Sequence, residues 1–460
     1  MLAASCNDAA RPVPKTSLPD PRPRIVFDLT TSARWRGPAG GIVRVQREIG
    51  RLAPEVVTLA VEYSLYDLRR KAFFRVRPEL VEDILQGRIV VTFPGALPTS
   101  APGVGDRLRW ILRHPRRFLN GRLGRESRLR TKAGEHANGA SADGTRPFDA
   151  AVDGRLELDR SHVLVSCGAD WSGKDLEAIR SAKERDRFRY VSVCYDVIPW
   201  RFPGFWPPGV AETVIAYYAA LAGLADLVLC ISRTTADDYA ALCEELAISC
   251  PPLAVFRLVD SKPRMDSVPV GLPAELERGR FVLCVGSLEP RKNHRLLYDA
   301  WDELARDASF PRDVKLVLVA GARWMTDDLI ADIDANPDVR DRIVIVDNAS
   351  EEELHALYAA CLFTVYPSFY EGWGLPVAES LSHGKVCLAS DRGSIAEISE
   401  LAVLIDPYDV DAWRRAIHRH VTDDVRRRAL EASIRETFVR TPWEESARRF
   451  FEAVLPVHAP

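Results

Sequence analysis

The chain has 460 residues, which at roughly 100–200 residues per domain predicts two or three domains, each able to bury a large core. Hydrophobic residues make up 47% and charged residues 28% of the sequence, as in ordinary globular proteins, and the net charge of −3 argues against a general binder of polyanions. No apolar run reaches the roughly 20 residues of a membrane-spanning helix, which excludes the integral membrane class, and fibrous and collagenous classes are excluded by composition.

Nine cysteines are scattered along the chain, and no two have the C-x-x-C spacing typical of a zinc site or a redox dithiol. Several lie in apolar, strand-like runs, as Cys230 and Cys284 do, which favours reduced thiols packed in a core. Residues 1–23 include no apolar signal core, and we expect them to be a disordered lead of a cytoplasmic protein.

The ordered part is predicted to begin with a strand at 25–29, followed by a loop rich in Gly and Thr and a helix that starts at Gly40 and Gly41. A strand that leads through a glycine loop into a helix is typical of ligand sites in α/β domains. Fully apolar strands that alternate with helices favour a parallel sheet covered on both faces. Further strands are predicted at 56–60, 163–165, 190–193 and 227–231, and a helix at 208–224.

A basic insertion interrupts this domain at 97–160. Between Asp106 and Lys132 it carries nine Arg and one Lys against two acidic residues, with aromatic and aliphatic side chains between them. One interpretation is peripheral contact of residues 106–132 with the anionic inner face of the plasma membrane. The other is a basic, partly disordered segment on a solvated surface, and both stay open.

The composition changes at 255–279, where Ser, Pro, Asp and Gly become frequent, and we predict a linker over 259–279. We expect an N-terminal domain over 24–258, a second domain over 280–440 and a helix over 441–460 that packs back on the first domain. The predicted fold class is α/β, with two doubly wound domains in tandem. Strands of the second domain are predicted at 281–285, 315–320, 343–346, 362–365 and 386–389.

The most informative segment, at 365–380, has the sequence VYPSFYEGWGLPVAES. A predicted strand runs into a loop there, and a helix begins at a proline. Gly372 and Gly374 allow backbone N–H groups to approach a ligand closely, and the helix N-terminus favours a diphosphate. Glu371 precedes the helix and Glu379 lies about one turn inside it, so each carboxylate can bind a pair of sugar hydroxyls.

A second cluster is VGSLEPRKN at 285–293, directly after the first predicted strand of the second domain. Arg291 and Lys292 would lie at the carboxyl end of that strand, where they are suitable partners for phosphate oxygens. The alternative is a basic surface pair before a helix. The occurrence of this cluster together with the 365–380 segment favours the phosphate site.

Residues 281–440 resemble the family 4 retaining glycosyltransferases, which have the GT-B fold of two facing Rossmann-like domains. Glu371 and Glu379 match the Glu-x7-Glu motif of that family. Segment 285–293 resembles a subgroup rich in mannosyl- and rhamnosyltransferases of bacterial polysaccharide and O-antigen assembly. Looser matches in the first domain lie at 40–44, 196–203 and 231–235.

The resemblance implies a role for each matching residue. Arg291 and Lys292 would neutralise the donor diphosphate. Glu371 would hold hydroxyls of the transferred sugar, Glu379 would bind the ribose, and Asp196 would act near the reacting centre. The other donor-binding residues implied are Gly40, Gly41, Ser232, Gly286, Ser287, Gly372, Trp373, Gly374 and Leu375.

Tyr195 departs from the family, because many relatives have His before the Asp that corresponds to Asp196. A tyrosine hydroxyl can donate a hydrogen bond, but it does not titrate near neutral pH. Either the acceptor site differs, or Asp196 alone does the local work. The other interpretation is that Tyr195 merely packs against Trp200 in a structural turn.

The resemblance implies a hexosyltransferase that uses a nucleotide sugar and a lipid-linked or growing polysaccharide acceptor, with no nucleic acid as partner. GDP-mannose is the favoured donor, with dTDP-rhamnose and UDP-glucose as alternatives. No cofactor and no metal are expected, because two cations already lie at the diphosphate. A sugar-nucleotide epimerase and a catalytically inactive scaffold of the same fold are the competing hypotheses.

Overall fold

The computed structural model describes residues 23–37, 40–93, 144–259 and 271–455. The predicted disordered lead up to residue 22, the basic stretch at 106–132 and about half of the predicted linker lie outside these ranges.

The first sheet has eight strands in the order β10-β9-β8-β7-β1-β2-β3-β6. All neighbours are parallel except at β3, which is antiparallel to both β2 and β6. The central strands β1, β7 and β8 are buried except at the first residue of β1 and of β8, because helices cover both faces. Its strands are β1 Arg24–Asp28, β2 Val61–Asp67, β3 Ala72–Val76, β6 Val152–Arg155, β7 His162–Ser166, β8 Arg189–Cys194, β9 Leu227–Cys230 and β10 Leu253–Val255, and a separate parallel pair is formed by β4 Val90–Thr92 and β5 Thr145–Pro147.

Eight described helices accompany these strands, and the longest, α2, begins at Gly41 as the glycine pair predicts. They are α1 Thr30–Arg34, α2 Gly41–Val56, α3 Pro78–Leu85, α4 Phe148–Ala151, α5 Leu176–Asp186, α6 Ile198–Arg201, α7 Val210–Ala222 and α8 Arg233–Glu245.

The second sheet has six parallel strands in the order β13-β12-β11-β14-β15-β16. Counted from its first strand this order is 3-2-1-4-5-6, the order of the Rossmann fold. Its strands are β11 Phe281–Val285, β12 Lys315–Ala320, β13 Ile343–Asp347, β14 Thr364–Tyr366, β15 Cys387–Ser390 and β16 Val403–Ile405.

Helices again connect the strands of the second sheet. They are α9 His294–Arg306, α10 Asp327–Ala335, α11 Glu351–Ala360, α12 Leu375–Ser382, α13 Ile395–Ile398, α14 Val410–Thr422, α15 Asp424–Thr437 and α16 Trp443–Val454. Across the described ranges, no helix combines the length and apolar character needed to cross a membrane.

The last helix, α16, packs against α2 of the first domain. The ring of Phe451 lies 6.4 Å from that of Phe27 in β1, and the ring of Phe450 lies 5.1 Å from that of Phe256. All four side chains are buried, so α16 contributes to the core beneath the first sheet.

Two sequence predictions are wrong in this part of the molecule. The strand predicted at 56–60 does not form, since Val56 ends α2 and the strand begins at Val61. Residues 56–60 are only half-buried or exposed, whereas an internal strand of a covered sheet is buried on both faces.

The insertion also ends earlier than the predicted residue 160. Its last part forms β5, α4 and β6, and β6 pairs with β3 in the first sheet. Buried Phe148 anchors this part, because its ring packs 5.4 Å from that of Phe74 and 5.0 Å from that of Phe93.

Candidate active site

The candidate site lies between β11 and β14, where the strand order of the second sheet reverses. Ligands of open α/β sheets bind outside the carboxyl ends of the strands at this point. The loops at 286–293 and 367–374 meet there, since the N–H of Phe369 donates to the carbonyl oxygen of Arg291 at 2.9 Å. Asn293 has a φ of 57°, a left-handed conformation that Asn tolerates better than most residues, and it leads the first loop directly into α9.

Glu371 is clamped by the two predicted phosphate-binding cations. Its Oε2 lies 2.7 Å from Nη1 of Arg291, and its Oε1 lies 2.7 Å from Nζ of Lys292. Burial by itself raises the pKa of Glu371, but the charges of Arg291 and Lys292 outweigh burial and hold this pKa at about 2. The structure therefore brings these three predicted residues together, with the carboxylate ionised at neutral pH.

Lys292 is fixed by a second contact. Its Nζ donates to the hydroxyl of Tyr366 at 2.6 Å, and that hydroxyl donates to Oε1 of Glu371 at 3.0 Å. Burial lowers the pKa of Lys292, although Glu371 opposes this effect. The ammonium group is thus held in place before any ligand arrives.

Glu289 is a site residue to which sequence analysis gave no role. Its Oε1 lies 2.7 Å from Nη2 of Arg291, and its side chain is almost completely buried. Burial raises the pKa of Glu289, and the charges of Arg291 and Lys292 oppose that rise. A glutamate two residues before an arginine at a strand end is the signal that could have indicated this orienting pair.

Gly286 and Ser287 follow β11 directly, as predicted from the sequence. A Cβ added at Gly286 would lie 3.6 Å from the side chain of Lys292. Gly286 therefore borders the cation that the resemblance assigns to the diphosphate, and the side chain of Ser287 hydrogen-bonds to that of Glu289.

The first domain reaches the site through the loop after β8. A Cβ added at Gly372 would lie only 2.3 Å from the carbonyl oxygen of Tyr195 and 3.0 Å from Cβ of Asp196. The hydroxyl of Thr235 also donates to the carbonyl oxygen of Gly372, at 3.3 Å. The two domains are therefore in direct contact at Gly372, which explains why this position holds a glycine.

This contact places Asp196 beside the clamped carboxylate. Oδ1 of Asp196 accepts a hydrogen bond from the N–H of Ile198 at 3.1 Å. Burial raises the pKa of Asp196, the charge of Arg291 opposes the rise, and that of Glu371 adds to it. Asp196 and Glu371, which come from different domains, thus share one electrostatic environment.

Trp373 has a packing role that the sequence did not predict. Its side chain is 5% exposed, and the guanidinium carbon of Arg257 lies 5.1 Å from its ring centroid. The carbonyl oxygen of Trp373 accepts a hydrogen bond from the hydroxyl of Ser394 at 3.0 Å. Because the Trp373 side chain is buried, any contact of this residue with a donor would come from its backbone.

Gly374 follows Trp373 with a φ of 107° and leads into α12 at Leu375, which is half-buried.

Glu379 lies further along α12 and contacts the first domain. Its Oε1 lies 3.1 Å from Nη1 of Arg44, and its Oε2 accepts a hydrogen bond from the hydroxyl of Tyr358 at 3.0 Å. Arg44 belongs to the first turn of α2, next to Gly40 and Gly41. A Cβ added at either glycine would have no described atom within 4 Å, and Gly41 has a φ of 49°.

Ser232, which the sequence predicts to contact the donor, lies at the start of α8. Its side chain is completely buried, and its hydroxyl accepts a hydrogen bond from the N–H of Thr235 at 2.9 Å as the N-cap of α8. A serine in this position orients α8, whose Thr235 contacts the other domain, and contact of Ser232 with the donor stays a prediction.

Two further contacts between the domains were missed by sequence analysis. The carboxylate of Glu397 accepts hydrogen bonds from the N–H groups of Arg233 and Thr234, both at 2.8 Å, at the start of α8. The hydroxyl of Tyr370 donates to Oδ2 of Asp238 at 2.8 Å. Such pairs join residues far apart in sequence, and no local pattern indicates them.

Tyr195 belongs to a different hydrophobic cluster from Trp200, against which one of the two interpretations packed it. Its buried hydroxyl donates to the carbonyl oxygen of Cys167 at 2.9 Å, so the partner is Cys167 and not Trp200. Burial raises the pKa of Tyr195 well above its usual range. Of the two neighbouring residues Tyr195 and Asp196, Asp196 is therefore the one that can ionise at neutral pH.

The second domain is similar in sequence to known glycosyltransferases. Residues 273–437 match the family described as Glycosyl transferases group 1. The O-antigen chain mannosyltransferase B of Escherichia coli is 32% identical over 35% of this chain and 41% of its own length. The serotype-specific mannosyltransferase WbdA of Escherichia coli is 27% identical over 45% of this chain and 26% of its own length. The chain thus spans less than half of each of these curated relatives.

The fold is similar over most of the chain to that of a solved structure. Sucrose-phosphate synthase from Thermosynechococcus elongatus superposes with a TM-score of 0.58 at 17% identity, over 94% of this chain and 98% of its own. This likeness concerns the fold alone. The protein therefore has the GT-B fold, and its residues 273–437 match the Glycosyl transferases group 1 family.

Proposed function

We propose that the protein is a retaining glycosyltransferase that moves a hexose, with mannose favoured, from a nucleotide sugar to a growing or lipid-linked glycan. The observation that carries this proposal is the clamp of Glu371 between Arg291 and Lys292 at the strand reversal, beside Asp196 of the other domain. Support for mannose comes from the names of the two curated relatives, both of them mannosyltransferases.

The two cations suit the charge that develops during transfer. As the bond to the anomeric carbon breaks, negative charge accumulates on the departing nucleoside diphosphate, and preorganised cations stabilise it. The start of α12 adds positive potential, because among the described residues no side chain caps it and its first turn holds no acidic residue. We propose that the diphosphate takes over part of the interaction that Arg291 and Lys292 make with Glu371.

Glu371 would then accept hydrogen bonds from the sugar. A carboxylate with a pKa of about 2 is ionised at neutral pH and has only acceptor sites, which fits sugar hydroxyls. Asp196 would orient the acceptor hydroxyl from the side of the first domain, so that it attacks on the face that the diphosphate leaves.

Three accompanying proposals come from the sequence. The reaction needs no metal, because Arg291 and Lys292 supply the positive charge at the diphosphate. The protein is cytoplasmic, and residues 106–132 contact an anionic membrane surface near a lipid-linked acceptor. Rhamnosyl or glucosyl transfer is the alternative within the same fold, and an inactive scaffold is the alternative outside catalysis.

A transfer assay tests this proposal. Purified protein is given GDP-mannose, dTDP-rhamnose or UDP-glucose with a lipid-linked glycan acceptor, and product formation is followed by mass spectrometry. We expect transfer from one donor, and at least a hundredfold lower rate in Glu371→Gln, since one lost transition-state contact costs roughly 10²–10³ in rate. The exposed Glu436→Gln is the matched control and should keep the full rate. Equal rates in wild type and Glu371→Gln would contradict the proposed role.

A further inference from the structure

We propose that Arg44 is a positioning residue that couples contact between the two domains to nucleotide binding. Its guanidinium group, from the first domain, holds the carboxylate of Glu379 in the second domain. This inference rests on the proposed function, in which Glu379 binds the ribose of the donor.

The contact crosses the cleft and is largely protected from water. Nη1 of Arg44 lies 3.1 Å from Oε1 of Glu379, and the two side chains are only 18% and 12% exposed. A charge-assisted hydrogen bond in such surroundings is stronger than one on the surface. A change in this pair should therefore be measurable in the affinity of any ligand that uses the same carboxylate.

Arg44 leaves Glu379 able to bind a ligand. Oε1 has Arg44 as its partner, and Oε2 accepts from the hydroxyl of Tyr358 at 3.0 Å. A carboxylate offers about four acceptor positions, two on each oxygen. Ribose hydroxyls can use the remaining ones, so Arg44 and Tyr358 orient the group without displacing the nucleotide.

The position of Arg44 is itself fixed by the C-terminal helix. Its guanidinium carbon lies 5.9 Å from the centroid of the Trp443 ring, at the start of α16, which packs against α2. Three segments therefore meet at this side chain: α2, α12 and α16. By linkage, if contact with Arg44 raises nucleotide affinity, nucleotide binding strengthens the contact between domains by the same factor.

The charge of Arg44 also influences the ionisation of Glu379. Burial raises the pKa of Glu379, and Arg44 and Tyr358 oppose that rise. The other ionisable groups that face it are Glu351 of α11 and His383, whose ring Nδ1 lies 2.8 Å from the carbonyl oxygen of Glu379 and which is hydrogen-bonded to His355. Without Arg44, Glu379 should take up its proton at a higher pH.

Isothermal titration of the full chain with GDP, UDP and dTDP tests this inference. We expect Arg44→Ala to weaken binding of the preferred nucleotide about tenfold, within the usual range of coupling between sites. Arg44→Lys should restore most of the affinity, because a single nitrogen makes the contact with Glu379. Glu397→Gln is the control, since it breaks a different contact between the domains and does not touch Glu379; it should change affinity less than about threefold.

The pH dependence separates positioning from general damage. Affinity of Arg44→Ala should fall at a higher pH than that of the wild type as the solution is acidified, whereas Glu397→Gln should follow the wild type. Wild-type affinity in Arg44→Ala, or equal losses in Arg44→Ala and Glu397→Gln, would overturn the inference. Absence of nucleotide binding in the folded wild type would instead overturn the proposed function on which it rests.

Discussion

Glu371 is the central residue of the candidate site, because it contacts both predicted phosphate-binding cations. Its carboxylate is buried, and it stays ionised because Arg291 and Lys292 each contact one of its oxygens at 2.7 Å. An isolated buried carboxylate would take up a proton, whereas this one is held as an acceptor for a sugar. The sequence indicated these three residues from their motifs, but their pairing depends on two loops 79 residues apart in the chain.

The same ion pairs predict how stability depends on pH. The pKa of Glu371 is about 2 in the folded protein, against an ordinary value of 4.5. Its contribution is therefore fully present above pH 4.5 and is lost as the pH falls from 4.5 towards 2, by roughly 1 kcal/mol for each pH unit. The difference in melting temperature between wild type and Glu371→Gln should be largest at pH 7 and should shrink on acidification below 4.5.

Thermal unfolding of both proteins between pH 7 and pH 3.5 measures this difference. The exposed Glu436→Gln serves again as control and should show no pH-dependent difference from the wild type. A difference that stays constant over this range would show that Glu371 is not held ionised by the two cations.

At the scale of elements, the loops at the carboxyl ends of β8, β11 and β14 build the site. The predicted strands of the second sheet were recognisable because they are apolar, and β11 and β12 are also buried along most of their length. β16 was missed, since it has three residues at the sheet edge and Leu404 is 39% exposed. β2 was missed because it is only half-buried over its first three residues, and β3 was missed although four of its five residues are buried.

The contact between the β8 and β14 loops predicts the effect of Gly372→Ala. The added Cβ would lie 2.3 Å from a backbone oxygen of Tyr195, which cannot move as a flexible side chain would. Overpacking of this kind costs about 1–3 kcal/mol. We expect a lower melting temperature and a lower transfer rate, because the loops must separate. Gly321→Ala is the control, since an added Cβ there meets no described atom within 4 Å.

Calorimetry and the transfer assay check this prediction on the same samples. Unchanged stability and rate in Gly372→Ala would mean that the two loops do not touch in solution as they do in this structure.

At the scale of the whole molecule, the domains differ in how much their sequences revealed. The second domain carries compact motifs, each on one loop, and these could be interpreted without a structure. The cap role of Ser232, the hydroxyl partner of Tyr195 and the contact of Arg44 with Glu379 depend on distances between segments far apart in sequence. Hydrophobic periodicity and local motifs contain no information about such distances.

The boundary of the insertion also depends on contacts between segments far apart in sequence. Its basic composition suggested one continuous segment to residue 160, yet β6 joins the first sheet through pairing with β3. Strand pairing with a partner about 80 residues away is a tertiary effect, and composition alone did not indicate it.

The central claim is that the cluster of Arg291, Lys292 and Glu371 binds the diphosphate of a nucleotide sugar, and a thermal-shift measurement tests it most directly. GDP, UDP and dTDP, with their hexose conjugates, are added to the wild type and to Arg291→Ala. A ligand at a hundred times its dissociation constant stabilises the folded state by about 2.7 kcal/mol. We predict that one nucleotide raises the melting temperature of the wild type by several degrees and leaves that of a folded Arg291→Ala unchanged. An equal rise in both proteins, or no rise with any nucleotide, would contradict the account.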